Sequence, residues 1–119
     1  MHVSIDENLQ ALKVTVDLDG LPLAEYGGIE FIVDFKIEGF DNQQTFYTDS
    51  NGLEMQKRIL NFRPTWNIEN NYKESNENVT ANYYPINSAI SMRDEKQGKV
   101  FTVMNDRAQA GSALEPGAI

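Results

Sequence analysis

The stretch Ile29-Glu30-Phe31-Ile32-Val33-Asp34-Phe35-Lys36-Ile37-Glu38 sets apolar residues against charged residues in alternation. Its odd-numbered positions are all apolar, and its even-numbered positions are charged except for Ile32. A period of two places the two sets on opposite sides of an extended chain, one side for a core and the other for solvent. We therefore predict a β-strand over residues 29–38.

Strand-like patterns continue on both sides of this stretch. Five further segments alternate in polarity or are rich in β-prone residues: residues 11–18, 45–48, 53–60, 86–93 and 99–104. Residues 53–60 are expected to pair back on residues 45–48, although their composition would also suit a helix. The last two segments are joined by a polar loop of the length that a hairpin tolerates. Because no segment carries a sustained helical stripe, we predict an all-β fold.

The composition excludes several classes of function. The 119 residues include 18 acidic and 10 basic side chains, which give a formal net charge of −8. Nucleic acids and anionic membranes need a basic face, so we expect neither as a partner. The chain has no cysteine, and its one histidine is His2. We therefore expect no disulfide, no thiolate chemistry and no zinc site or other cofactor in this chain.

Pairs of carboxylates are the first catalytic candidates, because glycosidases use two of them. Asp17 and Asp19 share one side of a predicted strand, and Glu30 and Asp34 share one side of another. These positions alternate with core positions, so the solvent-facing side of a sheet explains them better than an active site does.

Residues 49–52, Asp-Ser-Asn-Gly, together with Glu54 place oxygen ligands around a glycine, as calcium loops do. An Asx turn explains the same residues without an ion. The spacing lacks the fuller ligand pattern of an EF-hand loop, so we favour the turn.

Aromatic side chains are candidates for stacking on sugar rings. They occur as the pairs Phe46-Tyr47 and Tyr83-Tyr84 and as the single tryptophan, Trp66. Adjacent residues of a strand point to opposite faces, so at most one member of each pair can lie in a core. Tyr83, Tyr84 and Trp66 are the sugar-stacking candidates, and packing in a core or an interface is the alternative.

Residues 66–80 are rich in asparagine and poor in residues to bury, which indicates an exposed loop. Within them, Asn78-Val79-Thr80 is an N-glycosylation sequon, which makes Asn78 a candidate acceptor.

Four blocks of the sequence, in this order, resemble the C-terminal half of glycoside hydrolase family 38 α-mannosidases, especially those of the lysosomal type. They are Phe46–Gly52, Arg63–Trp66, Asn82–Asn87 and Asp106–Leu114. The first 40 residues match that family only in their strand pattern. Ala110 and Ala113 depart from the lysosomal pattern, which prefers Gly and Ser there.

The resemblance implies a parent enzyme that is a retaining, zinc-dependent exo-α-mannosidase acting on the mannose of N-glycans, in the lysosome or another secretory compartment. The family's zinc ligands and nucleophilic aspartate lie in an N-terminal α/β domain, so none of them is carried over to these residues. The C-terminal half is similar to the β-supersandwich of galactose-mutarotase-like proteins. Residues 1–119 would be one antiparallel β-sandwich segment of it, incomplete at the C-terminal end, with the catalytic domain and mannose-containing glycans as partners.

The resemblance also singles out Asp106 and Arg107, whose loop precedes a strand that approaches the substrate in that family. They are candidates for the substrate cleft, and a structural ion pair is the alternative. Two other functions stay open: a stand-alone carbohydrate-binding β-sandwich that uses Tyr83, Tyr84 or Trp66, and a purely structural interaction domain. In each case we expect the isolated chain to be inactive as an enzyme.

Overall fold

The computed structural model describes residues 1–20, 30–65, 79 and 81–119. These residues form eight β-strands and no helix, so the predicted all-β class is confirmed. Every strand pair is antiparallel. The strands are β1 (His2–Asp6), β2 (Ala11–Thr15), β3 (Thr45–Thr48), β4 (Gln56–Ile59), β5 (Tyr84–Ile86), β6 (Ala89–Asp94), β7 (Lys99–Met104) and β8 (Gln109–Gly111). Within this described part, no helix could cross a membrane.

The N-terminal unit, Met1–Val33, contains the hairpin of β1 and β2. Val3 lies opposite Val14 and Ile5 lies opposite Leu12, so these four side chains share one face of the ribbon. A two-stranded hairpin is marginally stable by itself. The predicted strand over residues 11–18 is confirmed only for its first five residues.

The second unit, Asp34–Ile119, contains a four-stranded sheet in the order β4-β3-β6-β7. The hairpin of β3 and β4 confirms the pairing predicted for residues 53–60, and the helical alternative is wrong. The hairpin of β6 and β7 is also confirmed, with Asp94 opposite Lys99 at its closed end.

A smaller sheet of β5 and β8 packs against one face of the four-stranded sheet. The core between them consists of Phe46, Tyr84, Ile86, Ile90 and Ala113. The rings of Phe46 and Tyr84 meet edge to face, with their centroids 5.6 Å apart. Two antiparallel sheets with a common core are a β-sandwich arrangement, as predicted.

The strand predicted over residues 29–38 is wrong for most of its length. Ile29 lies outside the described residues, and residues 30–35 belong to no strand. Only the end of the segment pairs: Phe35 exchanges two backbone hydrogen bonds with Ile119, of 2.8 and 3.1 Å, and Ile37 N donates to the Gly117 carbonyl. Alternation predicts two faces, but a strand also needs a neighbouring strand along its length. Here the last three residues of the chain supply it for only a few positions.

Gly117 allows this pairing through its lack of a side chain. Its φ is +73°, a conformation that favours glycine. A Cβ atom there would lie 2.7 Å from the carbonyl oxygen of Ile37 and 2.8 Å from that of Phe40. Gly117 N also donates to the buried side chain of Asn42, at 3.1 Å.

The single strand predicted over residues 86–93 is divided at Asn87 and Ser88 into β5 and β6. The cause lies outside the segment. Three consecutive backbone amides turn away from the sheet toward the carboxylate of Asp49.

Candidate functional site

The side chain of Asp49, at the end of β3, binds the segment between β5 and β6. One of its oxygens accepts hydrogen bonds from the amides of Asn87, Ser88 and Ala89, each at 3.0 Å. The other accepts from the amide of Ser88 at 2.9 Å and from its hydroxyl. Asp49 is only 4% exposed, so these donors replace solvent around the charge. We call this arrangement the Asp49 lock.

The lock determines the protonation of the carboxylate. Burial by itself would raise the pKa of Asp49, but hydrogen bonds from the Ser88 hydroxyl and from the amides of residues 87–89 outweigh it. The pKa falls to about 2. Asp49 is therefore ionised at mildly acidic and at neutral pH alike, and its lone pairs are directed at N–H and O–H donors.

The same residues do not form a calcium loop. The Asp49 oxygens face donors, which a cation cannot replace without breaking the lock. Asn51 Oδ1 accepts from the amides of Leu53 at 3.0 Å and Glu54 at 3.3 Å, which is the Asx turn that we favoured. Across the described ranges, no group of three or more His, Asp or Glu side chains could hold a metal ion.

A second buried carboxylate has the same role in the hairpin of β6 and β7. Asp94 accepts from the amide of Asp41 at 3.0 Å and from the amide and side chain of Gln97 at 2.9 and 2.8 Å. The hydrogen bonds from the Asp41 amide and then the Gln97 amide lower the pKa of Asp94. This carboxylate therefore stays ionised and anchors two loops.

Two guanidinium groups lie close to the ring of Tyr84. The guanidinium carbons of Arg58 and Arg63 are each 4.4 Å from the ring centroid, within the range of cation–π contacts. Arg58 is fixed by hydrogen bonds of 3.0 Å to the hydroxyls of Thr48 and Ser50. Both arginines line a surface depression of about 200 Å³.

The predicted sugar-stacking residues separate into different environments. Tyr84 is 8% exposed and belongs to the core, whereas its neighbour Tyr83 is 54% exposed. The expectation that only one of the two can be a core residue is thus confirmed. Tyr84 has little ring surface left for a sugar, and Tyr83 stays a candidate. Trp66 and Asn78 lie outside the described residues.

Asp106 and Arg107 form an ion pair with each other, in which Nη2 and Oδ2 are 3.1 Å apart. Their side chains are 79% and 74% exposed, on the loop between β7 and β8. The hydrogen bond from Arg107 lowers the pKa of Asp106. An exposed pair of adjacent residues adds little stability to the fold. Because both side chains are exposed, a ligand or another part of a larger protein could contact them.

Sequence reasoning missed the Asp49 lock and the contacts of Arg58 and Arg63 with Tyr84, although several of these residues belong to the four blocks. Asp49 of the first block binds Asn87, the last residue of the third, and the two residues that follow it. Arg63 of the second block contacts Tyr84 of the third, and Ala113 of the fourth lies in the same core. The fixed spacing of the blocks was a signal that these residues meet, but it did not say which atoms make contact.

Comparison with known proteins gives the family. The model of the glycosyl hydrolases family 38 C-terminal domain matches residues 2–119. The chain belongs to this family. Its resemblance to the family 38 C-terminal domain, drawn from four blocks, extends over the first 40 residues as well.

Relatives of this family 38 domain carry the name of an α-mannosidase. The lysosomal alpha-mannosidase of Felis catus is 38% identical over 99 residues, which are 83% of this chain and 9% of the relative. The lysosomal alpha-mannosidase of Homo sapiens is 36% identical over 108 residues, 91% of this chain and 10% of the relative. A probable alpha-mannosidase of Arabidopsis thaliana is 33% identical over the same share of each chain. The chain thus spans about a tenth of the length of these relatives.

Proposed function

We propose that this chain is a non-catalytic segment of the β-rich C-terminal region of an α-mannosidase. In that enzyme it supports the catalytic domain and helps to shape the cleft for terminal α-mannose of N-glycans. The observation that carries the proposal is the convergence of all four blocks on one rigid framework, the Asp49 lock and the core around Tyr84. Residues from the blocks that resemble the family thus hold the strands together.

The chemistry of the buried carboxylates supports a structural role. A glycosidase needs one carboxyl group that can give a proton and a second that attacks or stabilises the sugar. Both oxygens of Asp49 accept hydrogen bonds from the chain itself, and its pKa of about 2 makes it a poor proton donor. Asp94 is held in the same way by Asp41 and Gln97. These groups accept hydrogen bonds from the chain itself and so stabilise the fold.

The remaining parts of the proposal rest on the family. The partners are the catalytic N-terminal domain of the parent enzyme and mannose-containing glycans. Zinc would be bound by that domain, and the retaining mechanism would use its residues. The parent would act in the lysosome or another secretory compartment, in keeping with the lysosomal relatives, while the plant relatives leave other compartments open.

Reconstitution tests the supporting role. A family 38 α-mannosidase that lacks the residues matching this chain is expected to be inactive, because the sheets of its C-terminal region are interrupted. Adding the purified chain should restore cleavage of an aryl α-mannoside. The chain should also co-elute with the truncated enzyme in size-exclusion chromatography. Full activity of the truncated enzyme without the chain would contradict the proposal.

One observation favours a second function. Tyr83 exposes more than half of its surface beside the sandwich, as a sugar-stacking residue would. A stand-alone carbohydrate-binding module would bind mannose oligosaccharides in calorimetry and lose that binding in Tyr83→Ala. We favour the segment of an α-mannosidase, for which no such affinity in the isolated chain is needed.

A further inference from the structure

The turn between β3 and β4 contains a dipeptide with a chemistry of its own. Asn51 is followed by Gly52, and both residues are exposed. No other asparagine of the chain precedes a glycine. The backbone nitrogen that follows an asparagine can attack its side-chain amide. A glycine hinders this attack least, because it has no side chain and its backbone adopts many conformations.

The fold holds both of the groups that would react. Gly52 N, the attacking atom, donates a hydrogen bond of 2.9 Å to the carbonyl oxygen of Asp49. Asn51 Oδ1, on the carbon that would be attacked, accepts from the amides of Leu53 at 3.0 Å and Glu54 at 3.3 Å. The nitrogen must give up its proton to attack, so its bond to Asp49 must break. The other two bonds fix the orientation of the side-chain amide.

The residue before the dipeptide is tied to two other parts of the protein. The Ser50 hydroxyl accepts a hydrogen bond of 3.0 Å from Arg58 on β4. The Ser50 carbonyl accepts one of 3.3 Å from the side chain of Asn87, next to the Asp49 lock. The turn therefore cannot rearrange without losing contacts to β4 and to the segment after β5.

We propose that Asn51 is a site of spontaneous deamidation, and that the fold delays the reaction until the turn of residues 49–54 opens. Local openings of this kind occur in folded proteins without global unfolding. The reaction would then mark molecules in which this turn has opened. The proposal does not depend on the role of the chain in an α-mannosidase.

The reaction needs water and no other reagent. Gly52 N forms a bond to Cγ of Asn51, the bond from Cγ to Nδ2 breaks, and the side-chain nitrogen leaves as ammonia with the proton from Gly52 N. Water then opens the five-membered imide. Its hydroxyl adds to one carbonyl carbon, and the proton returns to Gly52 N. Cleavage at Cγ gives aspartate, and cleavage at the main-chain carbonyl carbon gives isoaspartate.

The two products differ in what they do to the turn. Aspartate keeps an oxygen acceptor for the amides of Leu53 and Glu54 and adds one negative charge. Isoaspartate lengthens the main chain by one carbon between Ser50 and Gly52. A lengthened turn cannot keep all the contacts that join it to Arg58 and Asn87. A molecule with isoaspartate therefore retains a lasting change at the edge of the Asp49 lock.

The test compares the folded and the unfolded chain at the same mildly alkaline pH. One sample is kept in buffer, where circular dichroism establishes the fold, and the other in guanidinium chloride. Peptide mapping with mass spectrometry gives the rate of product formation at each asparagine. We expect the rate at Asn51 to be at least about tenfold lower in the folded chain, because several hydrogen bonds must open together. Equal rates in the two samples would overturn the proposal.

Two comparisons in guanidinium chloride test the dipeptide itself, without any dependence on folding. Asn8 precedes Leu9 and should form product severalfold more slowly than Asn51. Gly52→Ala should slow the reaction at Asn51 severalfold, because the added methyl group hinders the attack. The same rate at Asn51 and Asn8, or no effect of Gly52→Ala, would contradict a site set by this dipeptide.

A pair of serine variants in the folded chain tests the protection by the turn. Ser50→Ala removes the acceptor for Arg58 and should raise the rate at Asn51 at least about threefold, because opening then costs one hydrogen bond to a charged group less. Ser4→Ala, on β1 in the N-terminal unit, should leave that rate unchanged. Similar changes in both variants, or none in Ser50→Ala, would contradict protection by this turn.

Discussion

Replacing Asp49 by asparagine tests the framework at its most connected point. The substitution keeps the size of the side chain but removes the charge and turns one acceptor oxygen into an NH₂ group. In the wild-type chain the amide and hydroxyl of Ser88 donate to the second carboxylate oxygen. In the variant an NH₂ group would take the place of that oxygen and would face these two donors. Hydrogen bonds to a buried charge contribute about 1.5–3 kcal/mol each, and a buried donor left without an acceptor costs about 1–3 kcal/mol. We expect Asp49→Asn to lower the free energy of unfolding by about 3 kcal/mol at neutral pH.

The pH dependence gives a second, independent magnitude. The pKa of Asp49 is lowered in the folded chain from 3.8 to about 2. Its charge therefore stabilises the fold above the unfolded pKa, and this contribution is lost as the pH falls from about 4 through about 2. The shift corresponds to about 2 kcal/mol at neutral pH. The difference between the wild-type chain and Asp49→Asn should thus shrink as the pH falls toward 2.

Urea unfolding at low protein concentration, followed by far-UV circular dichroism, measures both effects. Asp106→Asn is the matched control, because Asp106 is exposed and pairs only with its neighbour Arg107; we expect a change below about 0.5 kcal/mol. A loss below about 1 kcal/mol in Asp49→Asn, or one that is the same at pH 7 and pH 2, would refute the reasoning about the lock.

Three further outcomes are expected. Gly117→Ala should destabilise the chain by about 3 kcal/mol in thermal melts, because its Cβ would meet two backbone oxygens at a positive φ. Gly98→Ala, with a similar φ and open space around it, should cost about 1 kcal/mol. Equal costs for the two variants would contradict the steric argument. Phe46→Ala should cost about 3–5 kcal/mol in urea unfolding and Tyr47→Ala less than half of that, because only Phe46 is in the core; similar losses would place the core elsewhere. At high concentration the isolated chain should associate in sedimentation velocity, through the exposed face of Ile5 and Leu12 and through β7, which among the described strands pairs only with β6. A clean monomer at that concentration would contradict this.

The sequence predicted local pairing well and distant pairing poorly. Residues 45–48 and 99–104 became strands with the predicted bounds, because each lies next to a turn that brings its neighbour back. The strongest alternation, in residues 29–38, did not become a strand, because its neighbour in space is the far end of the chain. Periodicity describes the two faces of a segment and contains no information on what lies beside it.

In the candidate site, too, local features could be predicted from the sequence and distant contacts could not. The separation of Tyr83 from Tyr84 followed from the alternation of side chains along a strand. The Asp49 lock could not be predicted, because it joins a side chain to three amides about forty residues away, and every residue has an amide. Arg58 and Arg63 were missed because their common partner, Tyr84, is also distant in sequence.

The most direct measurement of the central claim is the turnover of an aryl α-mannoside by the purified chain, with and without added zinc. Circular dichroism on the same sample establishes that the β-sheets are formed. The account predicts a folded chain with no cleavage above the buffer background under either condition, because its buried carboxylates serve the fold. Measurable turnover that follows the chain through purification would contradict a non-catalytic role.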